Sequence, residues 1–240
     1  MPRKRRSKAS SILPILIVIA AVAIWIYDTY QARDTSNPRA TSAETTPSRQ
    51  APAKTSGGVS ADQPTRTGGY DTYRNCTLSV DRGNDGDSFR VKLPDGRKEI
   101  IRLYFVDSPE SAFKTYGGGR NNHERIQQQA DAMGRITSAQ AVEIGKKAKD
   151  FTLNHLGKAP FTLHTAWDSP FNDQRYHGFI QVSYNGKTRF LHELLVEKGY
   201  ARIHTKGGKL PDGTSERNQE DHLFDLQRTA RSNKAGAWGL

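Results

Sequence analysis

The chain has 240 residues and a formal net charge of +11, and 35% of its residues are hydrophobic. This length accommodates one domain with additional segments. The single cysteine, Cys76, excludes an internal disulfide framework, and we expect it to be a small buried side chain. The positive charge suits contact with a polyanion without requiring it, because residues 1–70 carry about half of the excess.

The N-terminal segment, residues 1–30, is predicted to be a membrane anchor. Basic residues come first, and no charged residue then occurs from position 9 to position 27. A membrane-spanning helix needs about 20 predominantly apolar residues, and flanking basic residues favour the cytoplasmic side. We therefore expect a single-pass membrane protein with a cytoplasmic N-terminus and an extracytoplasmic domain, periplasmic or extracellular.

The alternative for this segment is a signal peptide, whose cleavage would leave a secreted protein. An Ala-Val-Ala at 21–23 lies inside the apolar run rather than after it, which favours the uncleaved anchor. Residues 31–70 are rich in Ser, Thr, Pro, Ala and Gly, which predicts a disordered linker. Residues 71–240 are then predicted to form the folded domain.

Short strands are predicted first in that domain. Segments 77–80, 88–93 and 100–106 are expected to be strands, because apolar and polar residues alternate in the second and the third is rich in apolar residues. The turn signal Pro-Asp-Gly at 94–96 joins the last two as a hairpin.

Helices and further strands are predicted beyond a Gly- and Asn-rich loop at 116–122. A helix should begin near Thr137, which has capping-box spacing with Gln140. The remaining predicted elements are strands at 161–167 and 178–184 and helices at 191–198 and 216–231. Five strands with three helices predict an α+β fold, an OB-type five-stranded β-barrel with three helices.

Four polar residues are expected to meet at one end of the hairpin. Asp87 enters the first strand and Asp107 ends the second, so antiparallel pairing would bring the two carboxylates together, as a hard divalent cation requires. Glu110 would be free to deprotonate a water, and Arg102 would direct its donors at a phosphate. The combination favours metal-assisted phosphodiester hydrolysis.

Each of these residues also has a purely structural interpretation. Asp-Gly is a common turn signal, Arg102 could extend from the barrel surface into water, and 107–110 could cap a helix. The functional interpretation is favoured because a single hairpin brings all four groups together.

Two strings, DGDS at 85–88 and IRLYFVDSPE at 101–110, resemble the signature of the staphylococcal nuclease-like (thermonuclease) family. The similarity extends over about residues 75–240. The resemblance implies an OB-type barrel with three helices and a calcium-dependent nuclease that cleaves DNA or RNA with little sequence preference and leaves 3′-phosphates.

The resemblance also implies roles for individual residues. Asp87, Asp107 and the backbone carbonyl of Ser108 would bind Ca²⁺, Glu110 would activate the water, and Arg102 would hold the phosphate. Oxygen ligands by themselves also admit manganese or magnesium.

Two positions depart from the family pattern. His177 stands where the second phosphate-binding arginine is expected, and Arg175 lies two residues earlier on the same side of an extended chain. We therefore predict Arg175 as the second catalytic arginine, with His177 as its substitute. The tyrosines that stack on a base are absent, so Lys206 and Lys209 are predicted to contact phosphates instead.

The sequence thus predicts a membrane-tethered, calcium-dependent endonuclease with a monomeric catalytic domain, DNA or RNA as its substrate and no inferred protein partner. The alternative is a catalytically silent nucleic-acid-binding OB-fold module displayed on the membrane. A third possibility is a surface interaction module in which the tether matters more than the barrel.

Overall fold

A computed structural model describes residues 63–171 and 173–240 of the chain. The predicted anchor and most of the predicted linker lie outside these residues. Within them there are nine strands, β1 Thr65–Thr67, β2 Tyr70–Leu78, β3 Ser88–Lys92, β4 Lys98–Leu103, β5 Val106–Asp107, β6 Phe161–Thr165, β7 Tyr176–Tyr184, β8 Lys187–Phe190 and β9 Arg202–Ile203. The α-helices of the same residues are α1 His123–Ala132, α2 Ser138–Lys158, α3 Leu191–Glu197 and α4 Glu216–Ser232. None of these helices is long and apolar enough to cross a bilayer.

Five of the strands close into a barrel. They pair in the order β2, β3, β4, β7 and β6, and a pairing between β2 and β6 completes the circle. The β4–β7 pair is parallel and the other pairs are antiparallel. The α+β class and the closed five-stranded barrel are therefore as predicted, and the barrel is consistent with the OB type.

The predicted hairpin forms the wall of the barrel that carries the polar residues. Strands β3 and β4 pair from Ser88 opposite Arg102 to Lys92 opposite Lys98. Alternate residues of β3, Phe89 and Val91, are buried in the core. The hairpin thus follows from the alternating pattern and its turn.

The second hairpin strand is shorter than predicted, because the chain bends at Phe105. This residue has a φ of 68°, which a side chain with a Cβ rarely adopts. The predicted strand 100–106 is therefore divided: β4 stays in the barrel, and β5 leaves it to pair with β9. The bend places Asp107 directly opposite Arg202.

The helices differ from the prediction at one point, since residues 63–171 and 173–240 contain four α-helices rather than the three predicted for the barrel domain. Helix α2 begins as expected, with the side chains of Thr137 and Gln140 forming a capping box. Helix α1, which was not predicted, packs on α2 through a small apolar cluster that includes Ile126, Met133 and Ile144. The face of α1 that carries these contacts also carries the buried Gln129.

Candidate active site

Two aspartates lie together at one end of the hairpin, as the strand pairing predicts. The Arg102 Nη2 atom is 2.9 Å from Asp107 Oδ1 and 3.5 Å from Asp87 Oδ2. The backbone N–H of Ser108 also donates to Asp87 Oδ2, at 3.0 Å. Asp87, immediately before β3, thus meets residues of β4 and β5 in one buried group.

Gly86 allows the loop before Asp87 to lie close to its neighbours. A Cβ atom on this glycine would come within 2.8 Å of Ser108 Oγ and 2.9 Å of the Ala148 side chain. The Thr152 hydroxyl donates to the Gly86 carbonyl at 2.7 Å. Helix α2 therefore supports the loop that presents Asp87.

The two aspartates have opposite charge environments. Burial raises the pKa of Asp87 to about 7, with Arg102 opposing the shift and the charges of Asp107 and Asp85 adding to it. At Asp107, burial also disfavours ionisation, but the charge of Arg125 and the hydrogen bond from Gln129, helped by nearby arginines, hold the pKa below its ordinary value. Asp107 is thus the well-compensated carboxylate, and Asp87 is not.

Asp107 is the centre of an arginine cluster. Its Oδ1 accepts from Arg102 Nη2 at 2.9 Å and from Arg125 Nη2 at 2.6 Å. Its Oδ2 accepts from Arg202 Nε at 2.9 Å and from Gln129 Nε2 at 3.0 Å. A fully buried carboxylate therefore has partners from β4, α1 and β9.

Glu110 lies at the edge of this cluster, with 19% of its side chain exposed. Its Oε1 accepts from Arg125 Nε at 3.0 Å, and its Oε2 lies 3.7 Å from Lys114 Nζ. The buried Gln129 amide accepts from the Glu110 backbone N–H at 3.0 Å and donates to the Ser108 carbonyl at 2.9 Å. Helix α1 therefore fixes both the backbone and the side chain of Glu110.

Three of these residues, Arg125, Gln129 and Arg202, were not among the predicted site residues. Gln129 stands in a run of three glutamines, and Arg202 lies far from the predicted hairpin, so neither was distinguished by type or position. A usable signal was the spacing of Ile126, Gln129 and Met133, which lie on one face of a helix.

Two adjoining clefts open over the cluster. One has a volume of about 490 Å³ and the other about 370 Å³. Both are lined by Arg102, Arg125, Asp173 and Arg175. Asp87 and Glu110 line the smaller cleft.

The predicted substrate residues lie at different distances from these clefts. Arg175 lines both clefts and is paired with Asp173, its Nε lying 2.9 Å from Oδ2. Lys206 lines the larger cleft and reaches Asp168 at 2.8 Å. His177 and Lys209 line neither. Of the two candidates for the second arginine position, only Arg175 reaches the clefts.

His177 is buried and lies beside Thr205, a residue that lines the larger cleft. Its backbone pairs opposite Arg102 in the parallel β4–β7 ladder, and its Nε2 lies 3.5 Å from the Thr205 hydroxyl. Burial lowers its pKa; Asp168 opposes this, and the positive charges of Arg102 and Lys206 reinforce it. The ring is therefore expected to be neutral at physiological pH.

The predicted metal ligands are all oxygen donors. Asp87 and Asp107 contribute carboxylates and Ser108 a backbone carbonyl, which is the chemistry that hard divalent cations select. Within the described ranges, no group of three or more His, Cys, Asp or Glu side chains is arranged to hold a metal ion. Asp87 fits such a cation best, since burial raises the pKa of its carboxyl to about 7, whereas both carboxylate oxygens of Asp107 already accept hydrogen bonds from arginine side chains.

The structure is an OB-like barrel domain that carries a cluster of Asp, Arg and Glu side chains at one end of a hairpin. Comparison with known proteins specifies the family. The family model of the staphylococcal nuclease homologues matches residues 100–239, more than half of the chain. The chain therefore belongs to the staphylococcal nuclease homologue family. No curated protein matches the chain.

Proposed function

We propose that this protein is a calcium-dependent endonuclease that hydrolyses phosphodiester bonds of DNA, RNA or both with little sequence preference, leaving 3′-phosphates. One observation carries the proposal. The four groups that the chemistry needs, Asp87, Arg102, Asp107 and Glu110, surround one pair of clefts, and Arg102 contacts both aspartates. Membership of a nuclease family supports the same reaction.

Asp87, Asp107 and the Ser108 carbonyl would hold the calcium ion. When bound there, the ion would supply Lewis-acid polarisation of a phosphate oxygen and neutralise negative charge. One carboxylate immediately precedes β3 and the other ends β5, and this positioning is the contribution of the hairpin and the bend after it.

The protein's own groups carry the remaining chemistry. Glu110 takes the proton from the attacking water, which its partly exposed position beside the cleft allows. Arg102 and Arg175 stabilise the additional negative charge of the transition state through their guanidinium donors. Lys206 contacts the polynucleotide backbone in the larger cleft. His177 and Lys209 line neither cleft, so any contact of theirs with a substrate would lie beyond the two clefts.

The proposed location is outside the cytoplasm, on a membrane tether. The support is the N-terminal sequence, in which basic residues precede a long uncharged apolar run. Protease added to cells whose outer envelope is opened but whose cytoplasmic membrane is intact should remove the catalytic domain if the proposal is correct, and protection until the cytoplasmic membrane is opened would contradict it.

The purified chain tests the activity directly. We expect it to cut a single-stranded oligonucleotide in calcium, to stop when excess chelator is added, and to lose roughly 100- to 10,000-fold in rate in a Glu110→Gln variant. Salt-dependent binding without cutting under any divalent cation would instead favour the alternative, a silent nucleic-acid-binding module.

A further inference from the structure

Arg125 on helix α1 connects the two halves of the candidate site. Its Nη2 donates to Asp107 Oδ1 at 2.6 Å, and its Nε donates to Glu110 Oε1 at 3.0 Å. The side chain of Arg125 is 43% exposed, whereas that of Asp107 is fully buried. One edge of the guanidinium therefore contacts both carboxylates while the rest faces the clefts.

A second guanidinium converges on the same oxygen. Arg102, from β4, donates to Asp107 Oδ1 from the barrel side, and Arg125 donates to it from α1. The two positive charges repel each other and are held together by the carboxylate between them. A phosphodiester entering the clefts meets both, and its two unesterified oxygens match a pair of guanidinium donors.

Three other cations near the clefts have acidic partners other than Glu110. Arg175 is paired with Asp173, and Lys206 with Asp168. Arg202 has only 10% of its side chain exposed, and it donates to the Gln128 carbonyl as well as to Asp107. Among the described residues, Arg125 is the guanidinium that both contacts Glu110 and is open to the clefts.

We propose that Arg125 is a further phosphate-binding residue of this nuclease and also the positioning residue of Glu110. When a phosphate enters, the Nη2 edge exchanges Asp107 for a phosphate oxygen, and Nε keeps Glu110 directed at the water. This inference rests on the proposed nuclease function. It assigns to α1 a role in the reaction beyond packing on α2.

The two roles make different demands on the side chain. Binding a phosphate requires a positive charge near the clefts, which lysine also supplies. Holding Glu110 while contacting a phosphate requires the rigid fork of arginine, which lysine lacks. Arg125→Lys should therefore separate the roles, and Arg125→Gln should remove both.

Arg120 offers a matched control. It is exposed, lies five residues before Arg125 and lines neither cleft, so Arg120→Gln removes the same charge from the same region. Any effect of general charge on a polyanion appears equally in both glutamine variants. The full chain is used throughout, and thermal unfolding verifies that each variant is folded.

Two measurements test the proposal. The first is binding of a fluorescent single-stranded oligonucleotide in excess chelator, measured at several salt concentrations. Relative to Arg120→Gln, we expect Arg125→Gln to bind roughly 10-fold more weakly and to lose about 0.7 from the slope of log affinity against log salt, as expected for one phosphate contact. Arg125→Lys should retain most of both.

The second measurement is the separation of kcat from KM in calcium. Loss of Glu110 positioning should lower kcat roughly 100-fold in both Arg125→Gln and Arg125→Lys, the cost of a misplacement of about 1 Å, while Arg120→Gln keeps the parent kcat. Equal kcat and equal salt slopes in Arg125→Gln and Arg120→Gln would overturn the proposal. Full activity of Arg125→Lys would overturn the positioning role of Arg125.

The proposal and the underlying function fail in different ways. An active Arg125→Gln beside an inactive Glu110→Gln leaves the nuclease intact and removes Arg125 from its mechanism. A wild-type chain that never cuts removes the nuclease and the positioning role, while the salt slope still decides whether Arg125 binds phosphate.

Discussion

Asp87 is a carboxylate of the candidate site whose ionisation is disfavoured by burial. Burial raises its pKa to about 7, against an ordinary value of 3.8. Between these values the folded, metal-free protein retains a proton that the unfolded chain releases. The unfolded state therefore binds fewer protons, and the stability of the metal-free protein falls as pH rises from about 4 to about 7.

Removing this carboxylate should reduce that dependence. In excess chelator we expect Asp87→Asn to be more stable than the parent at pH 8 by about 2 kcal/mol, with little gain at pH 4, because asparagine carries no charge to bury. Urea unfolding at both pH values measures the difference. A stability advantage of the variant that does not change with pH would contradict the interpretation.

The buried His192 makes the stability of the folded protein depend on pH in the opposite direction. It is fully buried in α3, where its Nε2 accepts from the Gln219 amide at 3.0 Å. Burial, with a smaller contribution from His222, lowers its pKa to about 3 from an ordinary 6.5. Below pH 6.5 the His192 side chain binds a proton in the unfolded chain but not in the folded protein. The free energy of unfolding therefore decreases as pH falls through that value.

A pair of variants isolates this effect. We expect the parent to lose roughly 2 kcal/mol between pH 7 and pH 5 through His192, and His192→Gln to lose that much less over the same interval. The free energy of unfolding of His192→Gln at pH 7 will also be lower than that of the parent, because the substitution disturbs the hydrogen bond between position 192 and the Gln219 amide. His123→Gln, at an exposed histidine, serves as the control and should keep the parental slope.

At the scale of elements, helix α2 holds the Glu110 segment by direct backbone contact. A Cβ on Gly145 would lie 2.5 Å from the carbonyl oxygens of both Pro109 and Glu110. These are main-chain atoms that cannot rotate away, so a methyl group there must displace the helix or the segment. The position of Glu110 is therefore coupled to the packing of α2.

Two alanine substitutions in the same helix test the coupling. Gly145→Ala should destabilise the protein by about 1–3 kcal/mol and lower the rate of oligonucleotide cutting, because overpacking moves Glu110. A methyl group on Gly157, near the end of α2, would meet no atom beyond its own helix within 4 Å, so Gly157→Ala should be neutral or stabilising by up to about 1 kcal/mol. Thermal unfolding and cutting rates should separate the two variants, and equal rates would contradict the coupling.

The elements differ in how visible they are in the sequence. The β3–β4 hairpin and the start of α2 were predicted, because alternation, a turn and a capping box are local signals. Helix α1 was missed, since it is mostly polar and buries few side chains, among them Ile126 and Ala130. The bend at Phe105 opposes the preference of an aromatic residue for extended backbone, so local pattern favoured a continuous strand.

Local sequence signals likewise predict only part of the candidate site. Asp87, Arg102, Asp107 and Glu110 lie within one hairpin and its continuation, so strand pairing alone brings them together. Arg202 reaches Asp107 from 95 residues away, through the pairing of β5 with β9. Such contacts form only in the closed fold, and the spacing of residues in the sequence does not predict them.

At the scale of the whole molecule, cation binding and folding should be linked. Asp87 and Asp107 are brought together by the β3–β4 hairpin and the bend after it, and the unfolded chain has no such arrangement. An ion that binds the folded state alone stabilises it by about 2.7 kcal/mol at 100 times its dissociation constant. For a domain of this size, 1 kcal/mol corresponds to roughly 2–4 °C in the unfolding midpoint.

We therefore expect saturating calcium to raise the unfolding midpoint of the parent by roughly 5–10 °C at pH 8 relative to excess chelator. Glu110→Gln should keep that shift, because Glu110 is assigned to the water and not to the ion. Asp87→Asn should lose most of it, since one of the two carboxylate ligands is gone. Scanning calorimetry of the three proteins with and without calcium measures the shifts, and a parental shift in Asp87→Asn would place the ion elsewhere.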